Sequence, residues 1–344
     1  MEADTIPKLF LKNVREHGDR VALREKDLGI WKRVTWKDYY EHVRDFALGL
    51  KALGFEPGDK VAILGDNCCE WLYADIATQS LSGVAVGIYP TDVARQVKYI
   101  LENSDSKFVV VKDQEQVDKV LQVKNELSLL KKVIVIDMKG LRRYKDPLII
   151  SFKETEKMGR ALHEQMPHFF EESIGSTRYE DVGILVYTSG TTGDPKGAMI
   201  SHKGMISMVK GLSQVLDFRL NDSVVSVLPL CHIAERMFSL IFPMYVGYTV
   251  NFAESVNTLQ EDMKEISPTV FLNVPRIWEK MHSSITIRMQ DAVLFKQWVF
   301  KAMVPIGERF SRYKLENKPV PWLWKMLHRI AYLTLFRALK NQLG

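Results

Sequence analysis

Ten consecutive residues carry the densest chemistry in this sequence: Thr188-Ser189-Gly190-Thr191-Thr192-Gly193-Asp194-Pro195-Lys196-Gly197. Four hydroxyl residues and two glycines fall within the first six positions. Glycines tolerate positive φ and close approach, so backbone N–H groups can converge on an anion. Hydroxyls donate to phosphate oxygens or ligate Mg²⁺, and Lys196 adds a mobile positive charge suited to the β- and γ-phosphates of a nucleotide. Asp194-Pro195 stiffens the turn before that lysine. The loop is not of the G-x-x-x-x-G-K-[ST] type, because the residue five after Gly190 is Pro195. The plain alternative is a Ser/Thr/Gly surface loop, which this composition directly after a strand disfavours.

Elements must hold such a loop. Residues 181–187 read as the strand leading into Thr188. Upstream, short apolar runs at 60–64, 84–88, 107–111 and 132–137 alternate with helical periodicity at 68–82, 94–103 and 114–127. Downstream, strands are expected at 223–228, 248–252 and 269–272, with helices at 233–245, 256–266 and 276–287. This alternation predicts an α/β fold: two doubly wound, mostly parallel sheets with helices on both faces and the Thr/Gly loop between them. With 344 residues, more than one core is expected. A large domain over 1–287, with its loop at 187–197, and a helical segment over 288–344 are the expected divisions.

Composition narrows the class. The 46% hydrophobic and 26% charged content is that of a globular protein, not a disordered one. Net charge is +5, yet residues 288–344 hold 11 Lys/Arg against 3 Asp/Glu, which is +8, so the rest of the chain is 5 − 8 = −3. The basic excess therefore gives no case for nucleic-acid binding by the main body. Cys68, Cys69 and Cys231 form no metal-ligand or disulfide pattern, and the N-terminus carries no apolar signal segment; a cytoplasmic, reducing location is expected. The longest uncharged stretch, 237–253, contains Pro243 and Gly247 and reads as a buried helix turning into a strand at Gly247.

The segment after Arg288 has two amphipathic stripes, Val293, Phe295, Trp298, Val299, Met303 and Ile306, then Trp322, Trp324, Leu327, Ile330, Ala331, Leu335 and Leu339. Pro319-Val320-Pro321 separates them. These stripes either face a core with solvated lysines between them, or meet an anionic membrane surface or an acyl chain.

The string Tyr187 to Gly197 resembles the [YF]-T-S-G-[ST]-T-G-x-P-K-G signature of the adenylate-forming superfamily and matches it at every position. Leu228-Pro229-Leu230-Cys231-His232-Ile233-Ala234-Glu235-Arg236 and Asn273-Val274-Pro275-Arg276-Ile277-Trp278-Glu279-Lys280 resemble segments of long-chain fatty acyl-CoA synthetases, as do Trp36-Lys37-Asp38-Tyr39 and Gly58-Asp59-Lys60-Val61-Ala62-Ile63. The resemblance covers essentially the whole chain. It implies that Thr188, Ser189, Gly190, Thr191, Thr192, Gly193 and Lys196 hold ATP phosphates, that Mg²⁺ is met near Thr188 with a partner Glu beyond this chain, and that CoA and a long-chain fatty acid are co-substrates. Peripheral membrane contact is a further expectation.

His232 is either an acyl-site residue or a hydrogen-bonded histidine at a strand–helix junction; Arg276 either opens a helix or faces a substrate phosphate, with the structural role favoured. A Cys231/His232 nucleophilic pair is disfavoured, because sequence neighbours on extended backbone point to opposite faces. Glu235 and Arg236 suggest a structural ion pair rather than catalysis. The resemblance also implies that adenine-, ribose- and Mg²⁺-binding segments and a C-terminal domain with a catalytic lysine lie beyond Gly344, so the chain by itself is expected to lack ligase activity. Alternatives are an adenylating protein with an acceptor other than CoA, or a non-catalytic nucleotide- or lipid-binding protein.

Overall fold

The computed structural model describes residues 3–188, 194–255 and 257–344. They form two compact units, Met1–Glu254 and Ser255–Gly344. The strands of the first unit, in chain order, are β1 (Val21–Asp27), β2 (Ile30–Thr35), β3 (Lys60–Leu64), β4 (Val84–Ile88), β5 (Ser106–Val111), β6 (Lys132–Val135), β7 (Ile149–Ser151), β8 (Val182–Thr188), β9 (Lys196–Ser201), β10 (Ser223–Ser226) and β11 (Thr249–Phe252).

A seven-stranded sheet has the order β7-β6-β5-β3-β4-β8-β9. All its pairs are parallel except β8–β9. Its central strands read as continuous aliphatic runs because helices cover them on both faces. On one side Ala62, Leu64, Val86, Val109, Val111 and Val133 pack with Val97 and Val117 from the helices Ala94–Asn103 and Gln114–Val123. A four-stranded sheet has the order β10-β11-β1-β2, with β1 parallel to β11 and β2 antiparallel at the edge.

The α/β class with mostly parallel sheets is as the alternation predicts, but the sheets are divided differently. The Thr/Gly loop does not lie between two sheets. It joins β8 to β9 inside the larger one, because 196–201 turns back as an antiparallel edge strand. The smaller sheet recruits the N-terminal hairpin, where no strand is expected from periodicity. The hairpin's β1 and β2 are rich in Arg, Lys and Glu, so the two-residue alternation is weak. The uncharged stretch behaves as expected. It runs as helix to Val246, closes at Gly247 with φ +89° and enters β11. No helix among the described residues is long and apolar enough to cross a membrane.

In the second unit, helices Leu259–Ile266, Pro275–Gln290, Leu294–Leu315 and Trp322–Ala331 are followed by a π turn at Tyr332–Phe336 and a last helix, Arg337–Leu343. Residues 269–272 form no strand, contrary to the expectation. The helix at 322–331 folds back on that at 294–315. Phe310 stacks on His328 with ring centroids 3.8 Å apart, and the Arg309 guanidinium lies over Trp324 at 5.5 Å.

Candidate functional site

The connection leaving β4 runs to β5 on one side of the sheet, while that leaving β8 turns to β9 on the other. A crevice must open at the carboxyl ends of β4 and β8, where ligands of open α/β sheets bind. A cavity of about 320 Å³ lies there. Tyr89 and Asp92 line it after β4, Tyr187 and Thr188 at the end of β8, Pro195 before β9, and His232 beyond β10.

The two ends of the loop are fixed by different contacts. Thr188 and Lys196 are paired across the β8–β9 ladder, and Tyr187 faces Gly197. A Cβ on Gly197 would come within 3.0 Å of the Tyr187 ring, so a glycine permits this packing. The Tyr187 hydroxyl donates to Asn103 Oδ1 at 2.7 Å, and the Tyr99 hydroxyl donates to the Pro195 carbonyl at 3.1 Å. Burial, then the neighbouring Tyr99, pushes the Tyr187 phenol up to about 12, so it stays a neutral donor. Tyr99 and Asn103 both come from the helix Ala94–Asn103. Thr188 and Lys196 are exposed. Ser189, Gly190, Thr191, Thr192 and Gly193 lie outside the described residues.

His232 is held by a polar clamp around residues 226–235. The Asn67 amide donates to Ser226 Oγ at 2.8 Å and to the Leu228 carbonyl at 2.7 Å, and its Oδ1 accepts from Leu230 N at 2.8 Å. The buried Glu235 carboxylate accepts from Ser226 Oγ at 2.7 Å, Leu228 N at 3.0 Å and Ser239 Oγ at 2.5 Å. Burial raises its pKa above the usual carboxylate value. Gly87 lets β4 approach this segment, since a Cβ there would sit 2.7 Å from Cys231 Cα.

His232 itself is the N-cap of the short helix Ile233–Arg236, and its Nδ1 accepts from Ala234 N at 3.1 Å. The neutral ring therefore carries its proton on Nε2. His232 thus has the hydrogen-bonded junction position weighed for it, and it also lines the cavity. Cys231 is buried, and burial pushes its thiol up to about 12, which leaves no thiolate for nucleophilic work near neutral pH.

Arg236 pairs with Asp75 rather than with Glu235. Its Nε donates to Asp75 Oδ2 at 2.8 Å, its second nitrogen to the same oxygen, and the guanidinium lies over Trp71 at 4.9 Å. Both side chains are fully buried, which is a structural pair. Arg276 is exposed in the first turn of Pro275–Gln290, in the second unit.

Asp92, Asn67, Tyr99 and Asn103 carry no signal in the sequence. Their partners are 84 to 163 residues away along the chain, or, for Asp92, the cavity itself. Burial raises the Asp92 carboxyl above its ordinary pKa.

Among the described residues no group of three His, Cys, Asp or Glu could enclose a metal. Mg²⁺ does not need one when substrate phosphates supply most of its ligands. The oxygen donors that line the cavity, the Thr188 hydroxyl and the Asp92 carboxyl, suit a hard cation of that kind.

The model of AMP-binding enzymes matches residues 10–308. A Xenopus laevis protein named long-chain-fatty-acid–CoA ligase is 36% identical over 348 residues, covering 99% of this chain and 46% of the relative. A Homo sapiens protein of the same description is 31% identical over 347 residues, covering 99% of this chain and 50% of its own length. The chain thus spans about half the length of these curated relatives. Its fold is shared with a crystal structure of an anthranilate CoA ligase in complex with anthranoyl-AMP, at TM-score 0.68 and 23% identity over 78% of this chain and 49% of that one. With a family match over most of its length and a glycine- and hydroxyl-rich hairpin loop at the carboxyl edge of its sheet, the chain belongs to the AMP-binding enzyme family.

Proposed function

We propose that this chain supplies the nucleotide-phosphate site of an enzyme that activates long-chain fatty acids with ATP and passes them to CoA. The observation that carries this reading is that Lys196 pairs across the β8–β9 ladder with Thr188, which lines a cavity together with His232. A carboxylate acylates poorly because its leaving group would be oxide. In the proposed reaction a carboxylate oxygen attacks the α-phosphorus of ATP, the bond to the β-phosphate oxygen breaks, and pyrophosphate leaves. The thiolate of CoA then attacks the acyl carbon and expels AMP.

In that sequence Lys196 holds the departing pyrophosphate as a point charge, and the loop residues 188–193 orient the phosphates. Thr188 would offer an oxygen to Mg²⁺, which when bound would supply neutralisation of phosphate charge. His232 presents Nε2–H toward the carboxylate oxygen that stays on the acyl carbon. The relatives named as long-chain-fatty-acid–CoA ligases support the choice of acid and acceptor. A non-hydrolysable palmitoyl-adenylate analogue should bind the protein more tightly than its acetyl counterpart. Absence of binding, or equal affinity for both, would falsify this assignment.

A specific observation also favours contact with a membrane surface. Trp322, Met326, Ile330 and Leu333 follow helical spacing and are between 46% and 74% exposed. Lys325, Arg329 and Arg337 are interspersed with them. Such a stripe suits the headgroup boundary of anionic lipid. Co-sedimentation should be stronger with phosphatidylserine vesicles than with phosphatidylcholine vesicles; equal or absent binding to both removes this reading.

A further inference from the structure

The turn that follows β4 supplies two residues of the cavity, Tyr89 and Asp92. Asp92 N donates to the Tyr89 carbonyl at 3.0 Å, which closes a β-turn with Pro90 at its second position. The Pro90 carbonyl lies outside that closing bond, and Lys119 reaches it from 29 residues further along the chain. Lys119 sits in the helix Gln114–Val123, and its Nζ donates to the Pro90 carbonyl at 2.6 Å. The same ammonium donates to Gln116 Oε1 at 3.1 Å and pairs with Glu115 at 2.9 Å. The Lys119 side chain is 18% exposed, whereas that of Glu115 is 71% exposed.

These contacts differ in worth. A charged donor on a partly buried carbonyl makes a stronger bond than a neutral one. An exposed ion pair such as that with Glu115 adds little. The Pro90 bond is therefore the contact that ties the turn to the neighbouring helix. The placement of the turn matters twice. Tyr89 and Asp92 line the cavity together with Thr188 and His232. At Val93 the turn also enters the helix Ala94–Asn103, whose Gln96 and Ile100 line the cavity and whose Tyr99 holds Pro195. Gln96 Oε1 accepts from Val93 N at 3.2 Å, which joins the turn to the helix start. Lys119 is not among the described residues that line the cavity, so its influence passes through the turn.

We propose that Lys119 is a positioning residue of the nucleotide site: by holding the Pro90 carbonyl it sets the wall that Tyr89, Asp92 and Gln96 present to bound nucleotide. This rests on the assignment of the cavity to nucleotide, and it adds a residue outside the phosphate loop.

The test compares the 344-residue protein with Lys119→Met, Lys119→Arg and Glu115→Gln by two measurements. The first is amide hydrogen exchange over residues 89–96 without nucleotide. Lys119→Met keeps the length of the side chain and removes its donors, so the Asp92 and Val93 amides should exchange on the order of tenfold faster. The second is calorimetric affinity for ATP with Mg²⁺. Lys119→Met should bind about threefold to tenfold more weakly. Lys119→Arg can still donate to a single carbonyl and should stay within about twofold of the parent. Glu115→Gln should match the parent in both measurements. If Lys119→Met does not fold, Lys119→Gln, shorter by one bond, serves in its place.

Faster exchange with unchanged ATP affinity would make Lys119 a purely structural residue and overturn the proposal. Unchanged exchange in Lys119→Met overturns it as well. A Glu115→Gln variant that behaves like Lys119→Met would assign the effect to the ion pair and not to the Pro90 bond. No ATP binding by the parent removes the nucleotide reading and the proposal with it; the exchange data, which need no ligand, separate that failure from loss of the Lys119 anchor alone.

Discussion

Thr188 and Lys196 stand directly opposite each other across the antiparallel pair β8–β9, so residues 189–195 begin and end at one place on the sheet edge. Directly opposed residues in such a ladder have Cα atoms about 4.5–5.5 Å apart. The proposed phosphate site requires the hydroxyl at one end of the loop and the ammonium at the other to lie this close. The sequence spacing alone leaves that distance open, because a nine-residue segment can be extended or closed. The ladder closes it.

Closure is held at one side by Tyr99, whose hydroxyl donates to the Pro195 carbonyl. Tyr99→Phe keeps the ring and removes that bond, worth about 0.5–1.5 kcal/mol. Binding of ATP should weaken about threefold to tenfold while the thermal midpoint changes little. A variant that binds ATP like the parent would show that Pro195 needs no such anchor.

His232 combines a cap with a cavity position, and two substitutions separate them. Asn is a good N-cap, so His232→Asn should leave stability within a few tenths of a kcal/mol, whereas His232→Ala should lose about 1 kcal/mol. Both should weaken the palmitoyl-adenylate analogue by about threefold to tenfold, the worth of one hydrogen bond. If His232→Asn binds the analogue normally, capping is its whole role.

The parallel strands β3 to β6 were legible because strands buried on both faces are apolar throughout. The edge strand β9, Lys-Gly-Ala-Met-Ile-Ser, was not, since it is half exposed and lacks alternation. The hydroxyls, glycines and lysine of the loop are legible in the sequence as residue types. The residues that hold them are not: Tyr99, Asn103 and Asn67 are ordinary polar side chains until the fold brings distant segments to them. The second amphipathic stripe shows the same limit. Ala331 and Leu335 turn inward while Ile330, read on the same face, is 47% exposed. A stripe wider than one contact surface cannot reveal which half is covered.

His202 gives the protein a built-in sensitivity to acid. It is buried, its Nδ1 accepts from Ile6 N at 3.4 Å, and burial lowers its pKa to about 4. The folded protein therefore binds this proton less readily than the unfolded chain, whose histidine titrates near 6.5. Its contribution is fully present above pH 6.5 and is lost as pH falls toward 4, by about 3 kcal/mol in total. Denaturant unfolding of His202→Gln should show a correspondingly shallower loss across that window. An identical pH slope in the two proteins would place the sensitivity elsewhere.

The Arg236–Asp75 pair joins the segment after His232 to the helix Cys69–Ser80. Arg236→Met leaves a buried carboxyl without its charge partner and should cost about 3–5 kcal/mol. Adding Asp75→Asn removes the uncompensated charge and should restore part of that loss, as read by urea midpoints. If the double variant is less stable than the single one, the pair is not the reason for the cost.

The most direct test of the phosphate-site assignment is calorimetric titration of the 344-residue protein with ATP, with Mg²⁺ and then with EDTA, beside the Lys196→Ala variant. A hydrogen bond to a charged group is worth about 1.5–3 kcal/mol, so the variant should bind ATP roughly tenfold to a hundredfold more weakly, and EDTA should weaken binding by the parent. Equal affinity of parent and variant, or no ATP binding by the parent, would contradict it.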